Sequence, residues 1–120
     1  MSRNKYGAKR TVVDGFKFDS QAEAYRYQQL VLMQRGGVIR ELEVHPPFPL
    51  EINGKPLLLR SKGFPGGRKA RYEADFRYFD VSKGDYVVED VKGADTPISQ
   101  LKRAIVEAQY GIRVTIIARG

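Results

Sequence analysis

The sequence contains no cysteine, so disulfides, thiolate metal sites and cysteine nucleophiles are all excluded. His45 is the only histidine, which excludes histidine-rich metal sites, and its place before two prolines favours a structural role. No apolar run approaches the ~20 residues of a membrane span, and the first ten residues lack the apolar stretch of a signal peptide. These absences predict a soluble cytoplasmic protein. No nucleotide-binding loop or nucleophile-elbow motif occurs.

Positive charge is abundant, with 21 Lys and Arg against 14 Asp and Glu and a net charge of +7. Such an excess predicts a polyanionic partner, most often nucleic acid. The charge is concentrated in an N-terminal arm (about 1–10) and a glycine-rich segment (about 60–71) predicted to be a flexible loop. A solvated tail and loop is the alternative interpretation of both clusters. If they bind a phosphate backbone, they position the protein without reading sequence. The residues proposed for this contact are Lys9, Arg10, Arg60, Lys62, Arg68, Lys69 and Arg71.

The order of local signals predicts one α/β domain over residues 1–120. Asp14-Gly15 predicts a hairpin, Ser20 caps a helix that ends before Gly36-Gly37, and Thr96-Pro97 begins a second helix that ends at Gly111. Apolar residues at helical spacing support the second helix. The remaining extended segments are predicted at 38–44, 48–52, 56–59, around Asp75, around Asp90 and at 112–118.

Asp75, Asp90 and Lys92 form the strongest candidate for a chemical site. Alternation along a strand places Asp90 and Lys92 on one face. If the turn occupies 81–84 and Asp80 pairs with Asp85, Asp75 lies opposite Asp90. Facing carboxylates destabilise a strand pair unless a cation lies between them, which predicts a hard divalent metal. Ordinary solvated charges on a surface hairpin are the alternative.

Four more polar residues lie near this constellation. Glu23 fits a capping box with Ser20 and also borders the helix face that packs on the sheet, so it is predicted to cap the helix, to support a metal, or both. Gln100 and Lys102 begin the second helix, where phosphate is attracted, although an ordinary cap explains each of them alone. Glu89 is predicted on the face opposite Asp90, and a bulge would exchange the two.

With these segments, the chain resembles the PD-(D/E)XK nuclease superfamily. Asp75 matches its first acid, Asp90-Val91-Lys92 matches its second motif, and Glu23 matches an acid that many members carry on the first helix. Ala74 stands where the pattern has proline, and Asp90 where glutamate is more frequent. The segments FDSQAEAYRYQQL, GGVIRELEVHPPF, YEADFRY, VVEDVKG and LKRAIVEAQYG are similar to those of small phage-encoded endonuclease-like or Holliday-junction-resolvase-like proteins.

The resemblance implies a restriction-endonuclease-like core, helix–three strands–helix–strand, with a mixed central sheet flanked by helices. It implies a Mg²⁺-dependent DNA endonuclease, with Mn²⁺ also accepted, acting on branched or junction DNA in phage recombination, replication or packaging inside a bacterial host. Asp75, Asp90, the Val91 carbonyl and Glu23 would hold the metal, and Lys92 would position or activate the attacking water.

Cleavage of both strands of a branched DNA would call for a symmetric homodimer. A non-catalytic nucleic-acid-binding protein on the same fold is the alternative, because fold does not settle function. An RNA-binding module, with Phe76, Tyr78 and Phe79 as stacking platforms, is the weaker third interpretation.

Overall fold

The computed structural model describes residues 10–119. Two helices and twelve short strands are found in this range, so the chain is a mixed α/β protein. No helix in the described range is long and apolar enough to span a membrane. The elements are β1 (Thr11–Val13), β2 (Phe16–Phe18), α1 (Gln21–Arg35), β3 (Ile39–Val44), β4 (Pro47–Pro49), β5 (Glu51–Ile52), β6 (Lys55–Pro56), β7 (Leu58–Ser61), β8 (Phe64–Lys69), β9 (Arg71–Glu73), β10 (Phe76–Asp80), β11 (Asp85–Lys92), α2 (Pro97–Tyr110) and β12 (Val114–Ala118).

A mixed four-stranded sheet with the order β12-β11-β10-β3 forms the centre of the fold. β10 is antiparallel to both β3 and β11, whereas β11 and β12 are parallel. Asp80 pairs with Asp85, so the predicted turn and register of this hairpin are confirmed. β11 is an inner strand, as its nearly continuous apolar sequence predicts.

Helix α1 covers one face of this sheet. The Ser20 Oγ accepts the Glu23 backbone N–H at 3.1 Å, which satisfies one of the free donors of the first turn and confirms the predicted cap. Tyr27 and Leu30 are buried against Phe76 and the α1 side of β11. Glu23, in the first turn of α1, is buried together with these residues.

Helix α2 contributes to a second apolar cluster, which also includes Val88 of β11. Thr96 caps α2 and Gly111 ends it in the left-handed conformation, at a φ of 66°, so both predicted ends are confirmed. Val106 is the buried residue of this helix, whereas Ile98 and Leu101 are exposed. The apolar spacing therefore predicted the helix but not its buried face.

The basic segment 60–71 is not the predicted loop. Most of it forms the antiparallel hairpin β7–β8 and the start of β9, and its side chains are largely exposed. At Gly67, φ is +88° and an added Cβ would lie 3.0 Å from the Leu58 Cβ. Glycine is therefore required here by close strand contact beside a register shift, and it does not mark irregular structure.

Candidate metal centre

Asp75 and Asp90 meet at the end of the central sheet where β10 begins and β11 ends. Asp75 lies one residue before β10, opposite Asp90, as the assumed register requires. The Asp75 Oδ2 accepts the Val91 backbone N–H at 2.7 Å, and the Asp90 Oδ1 accepts the Asp75 backbone N–H at 2.9 Å. Each carboxylate is thereby fixed by a main-chain donor, and the two are held together.

The outer oxygen of Asp90 lacks a hydrogen-bond partner. Asp90 is 1% exposed, and its Oδ2 is buried without a hydrogen bond among the described residues. Lys92 Nζ lies 3.8 Å from this oxygen, close enough for electrostatic attraction but too far for a hydrogen bond. A buried carboxylate oxygen without a hydrogen bond is costly, and a bound cation would offset that cost.

Glu23 and His45 approach Asp75 from two other elements. One potential ligand atom each of Glu23, His45 and Asp75 lies within 4.8 Å of the others, and His45 Nε2 is 4.0 Å from Glu23 Oε1. Glu23 therefore offers its N–H to the Ser20 cap and its carboxylate to this cluster. The predicted capping box is therefore formed only in part: among the described residues no hydrogen bond joins the Glu23 carboxylate to the Ser20 N–H, and the carboxylate lies in the cluster instead.

His45 was predicted to have only a structural role and was not placed near the candidate site. It follows β3, and the backbone pairing of β3 with β10 places Val44 beside Phe76. The His45 N–H accordingly donates to the Asp75 carbonyl at 2.9 Å. Both strands were predicted, but their pairing was not. Pairing them would have placed the end of β3 next to Asp75 and so identified His45.

Asp75, Asp90 and Glu23 all have raised pKa values, and burial is the main cause in each case. Burial, and then the charge of Asp75, raises the pKa of Glu23 to about 9. Burial raises the pKa of Asp90 to about 6 despite the attraction of Lys92, and burial also raises the pKa of Asp75. Oxygen donors in this state fit a divalent cation, which would replace the bound protons.

We expect the stabilisation of the protein by Mg²⁺ or Mn²⁺ to grow with pH. The raised pKa values stabilise the metal-free fold fully below the usual carboxyl pKa of about 4. This contribution is lost as the pH rises through the pKa of Asp90, about 6, and that of Glu23, about 9. Because protons compete with the cation, a saturating cation should raise the melting temperature by about 5–10 °C near pH 8.5 and by far less near pH 5.5.

Differential scanning fluorimetry with and without EDTA measures this difference. An equal shift at both pH values, or an undiminished shift in Asp75→Asn, would contradict a metal site at this cluster.

The predicted contact residues for nucleic acid lie in different parts of the structure. Arg71 and Lys102 join Lys92, Asp75 and His45 around a cleft of about 470 Å³, which also reaches Thr96 and Ser99 at the start of α2. Gln100 is exposed, donates its side-chain amide to the Asp95 carbonyl, and does not line this cleft. The remaining charges lie elsewhere, with Arg60, Lys62, Arg68 and Lys69 on the β7–β8 hairpin and Arg10 exposed before β1. Lys9 and most of the N-terminal arm lie outside the described residues.

Glu89 lies on the opposite face of the sheet, as predicted. It accepts hydrogen bonds from Arg26 Nε at 2.8 Å and Arg26 Nη2 at 2.7 Å, and a third from the Tyr78 hydroxyl. Its carboxylate is thus fully engaged away from Asp90 and is not part of the cluster.

A cavity of about 240 Å³ holds the carboxylates of the site, whereas His45 lines the 470 Å³ cleft. Glu23, Asp75, Asp90, Val91 and Lys92 line the cavity. Three further charged residues in the lining were not predicted as site residues: Asp19, Glu73 and Arg119. A larger cavity, of about 760 Å³, lies at the other end of β11. We place the site at the smaller cavity because it holds the converging carboxylates.

Sequence comparison identifies one family that this chain matches. A family model described as "Protein of unknown function (DUF1064)" matches residues 3–120, which is nearly the whole chain. No curated protein and no solved structure matches the chain. The match includes every residue of the candidate metal centre. The chain therefore belongs to the DUF1064 family.

Proposed function

We propose that this protein is a divalent-metal-dependent DNA endonuclease with a restriction-endonuclease-like core of the PD-(D/E)XK type. The observation that supports this proposal most directly is the convergence of Asp75 and Asp90 at adjacent strand ends. The Asp90 Oδ2 there has no hydrogen bond and lies 3.8 Å from the Lys92 ammonium. A solvated surface hairpin would leave these carboxylates exposed, but Asp90 is buried. Buried charge without a function is costly, which favours a site that binds a cation.

The residues of the cluster have distinct proposed roles. Asp75, Asp90 and Glu23 would hold Mg²⁺ or Mn²⁺, with the Val91 carbonyl as a further donor and the His45 imidazole beside them. When bound, the cation supplies a Lewis acid for the phosphate and lowers the pKa of a water nucleophile. The main-chain bonds of Asp75 and Asp90 keep both carboxylates oriented before substrate binds.

Lys92 would act at the reacting phosphate. Its ammonium lies beside Asp90, and Lys92 lines both the 240 Å³ cavity and the 470 Å³ cleft. A fixed cation there would orient the attacking water or stabilise the negative charge that develops on phosphate.

The surrounding positive charges would bind the DNA backbone. Arg71 and Lys102 line the cleft that leads away from the metal centre. The β7–β8 hairpin extends basic side chains into solvent. No element in the described range is assigned to base reading, so we propose recognition of DNA shape, with branched or junction DNA as the substrate in phage recombination, replication or packaging. Cutting both strands would require a homodimer.

We expect the double variant Lys62→Gln and Lys69→Gln to weaken DNA binding equally for all sequences. Each lost phosphate contact should reduce the slope of log K against log salt by about 0.9. Fluorescence anisotropy over a salt series measures the slope. A matched control is Lys83→Gln with Arg113→Gln. Both residues line the 760 Å³ cavity, at the end of β11 remote from the candidate metal centre. An equal loss in both double variants would reject a specific role for the hairpin.

Cleavage of labelled linear, nicked and four-way-junction DNA in Mg²⁺ tests the proposed activity. We expect cleavage that is strongest on the junction and absent in EDTA. Tight binding without cleavage, in Mg²⁺ and in Mn²⁺, would show that the enzyme proposal is wrong and would leave the non-catalytic binding protein as the better interpretation.

A further inference from the structure

Arg119 is brought to the candidate metal centre by the central sheet. The parallel pairing of β11 and β12 places Ala118 beside Lys92. The next residue continues this ladder, since the Arg119 N–H donates to the Lys92 carbonyl at 3.0 Å. The backbone of Arg119 is therefore fixed next to the lysine of the site.

The guanidinium of Arg119 lies against the backbone of Gly93. A Cβ added at Gly93 would lie 2.8 Å from Arg119 Nη1 and 2.9 Å from its Cζ. Gly93 does not have a positive φ, so backbone conformation does not demand glycine there. The absence of a side chain at Gly93 instead leaves room for the guanidinium.

Within residues 10–119, Arg119 makes no ion pair, and its charge acts on Glu23 only at longer range, where it partly offsets the rise in the pKa of that carboxyl. No carboxylate in that range lies within ion-pair distance of it, although Asp19 and Glu73 line the same cavity. Its Nε is buried without a hydrogen bond. An arginine that served only the fold would pair with a nearby carboxylate, because an unsatisfied buried donor costs free energy. The unsatisfied Nε–H is better explained by a ligand that enters the cavity.

We propose that Arg119 binds the phosphate of the DNA phosphodiester at this site, and that Gly93 positions its guanidinium. This inference rests on the proposed function. The planar fork of arginine matches two phosphate oxygens, whereas the lysine ammonium acts as a point charge. Lys92, at the end of β11, and Arg119, directly after β12, would thus both contact a phosphate in the cavity that they line together.

Four variants test the proposal: Arg119→Ala, Arg119→Lys, Gly93→Ala and the control Arg113→Ala. Gly93→Ala keeps the arginine but displaces its guanidinium, and Arg113 precedes β12 at the end remote from the site. We expect the first three to lower kcat by about 10²–10³-fold, as when one donor to a transition-state charge is removed. The control should cleave at the wild-type rate.

DNA binding in Ca²⁺, measured by anisotropy over a salt series, gives an independent readout. Arg119→Ala should reduce the salt slope by about 1, whereas a loss of fold would appear in the melting temperature. Wild-type cleavage and salt slope in Arg119→Ala would overturn the inference and leave the proposed function intact. If the wild-type protein binds DNA without cleaving it, the enzyme proposal fails, and an unchanged slope in Arg119→Ala then overturns the inference separately. Absence of both cleavage and binding overturns both.

Discussion

Asp90→Asn is expected to reduce metal-dependent cleavage by at least about 10²–10³-fold while the protein stays folded. The amide has the shape of the carboxylate, and its oxygen can still accept the Asp75 N–H that Asp90 Oδ1 now accepts. What it removes is the negative charge that would hold the cation. Initial rates on junction DNA in Mg²⁺ measure the effect.

The same substitution should not destabilise the metal-free protein. The raised pKa of Asp90, about 6, leaves a buried, charged carboxylate above that pH, and its Oδ2 lacks a hydrogen bond. Removal of that charge favours the fold. We therefore expect a melting temperature in EDTA equal to or above that of the wild type near pH 8. Cleavage within about twofold of wild type would remove Asp90 from the mechanism.

Glu89→Gln is expected to have the opposite effect, with a large loss of stability and little loss of activity. Glu89 is 1% exposed and accepts both Arg26 nitrogens and the Tyr78 hydroxyl. Its replacement leaves the guanidinium without a counter-charge in a mostly buried position. Since breaking a buried pair costs several kcal/mol and Arg26 keeps some solvent contact, we expect a loss of about 2–3 kcal/mol.

Urea unfolding near pH 7 measures that loss, with Glu43→Gln as the matched control. Glu43 pairs with Arg77 at 3.4 Å, but both side chains are exposed, so its loss should cost less than about 0.5 kcal/mol. Cleavage by Glu89→Gln is compared at a temperature where the variant is folded. If Glu89→Gln is inactive at that temperature but as stable as wild type, the roles assigned to Glu89 and Asp90 are reversed.

The local part of the site was accessible from the sequence. The β10–β11 hairpin has a four-residue turn that ends in Gly84, and strand alternation then fixes which residues share a face. Asp75, Asp90 and Lys92 were predicted together on this basis. The Ser20 cap placed Glu23 in the first turn of α1, on its buried face.

The remaining site residues depend on pairing between distant segments. His45 reaches the cluster through the pairing of β3 with β10, and Arg119 through the parallel pairing of β11 with β12. Neither pairing is encoded by a local turn. The interpretation of 60–71 as a loop was wrong because glycine was taken as a sign of irregular structure, whereas Gly67 permits a close strand contact.

The account depends most directly on a divalent cation bound between Asp75 and Asp90. Isothermal titration of Mn²⁺ into wild-type protein and Asp90→Asn, near pH 8, tests it. We expect saturable binding to the wild-type protein and a loss of at least about tenfold in affinity in the variant, equivalent to about 1.4 kcal/mol. Identical titrations of both proteins, or no binding to the wild type at about 10 mM Mn²⁺, would contradict the metal site and the nuclease mechanism built on it.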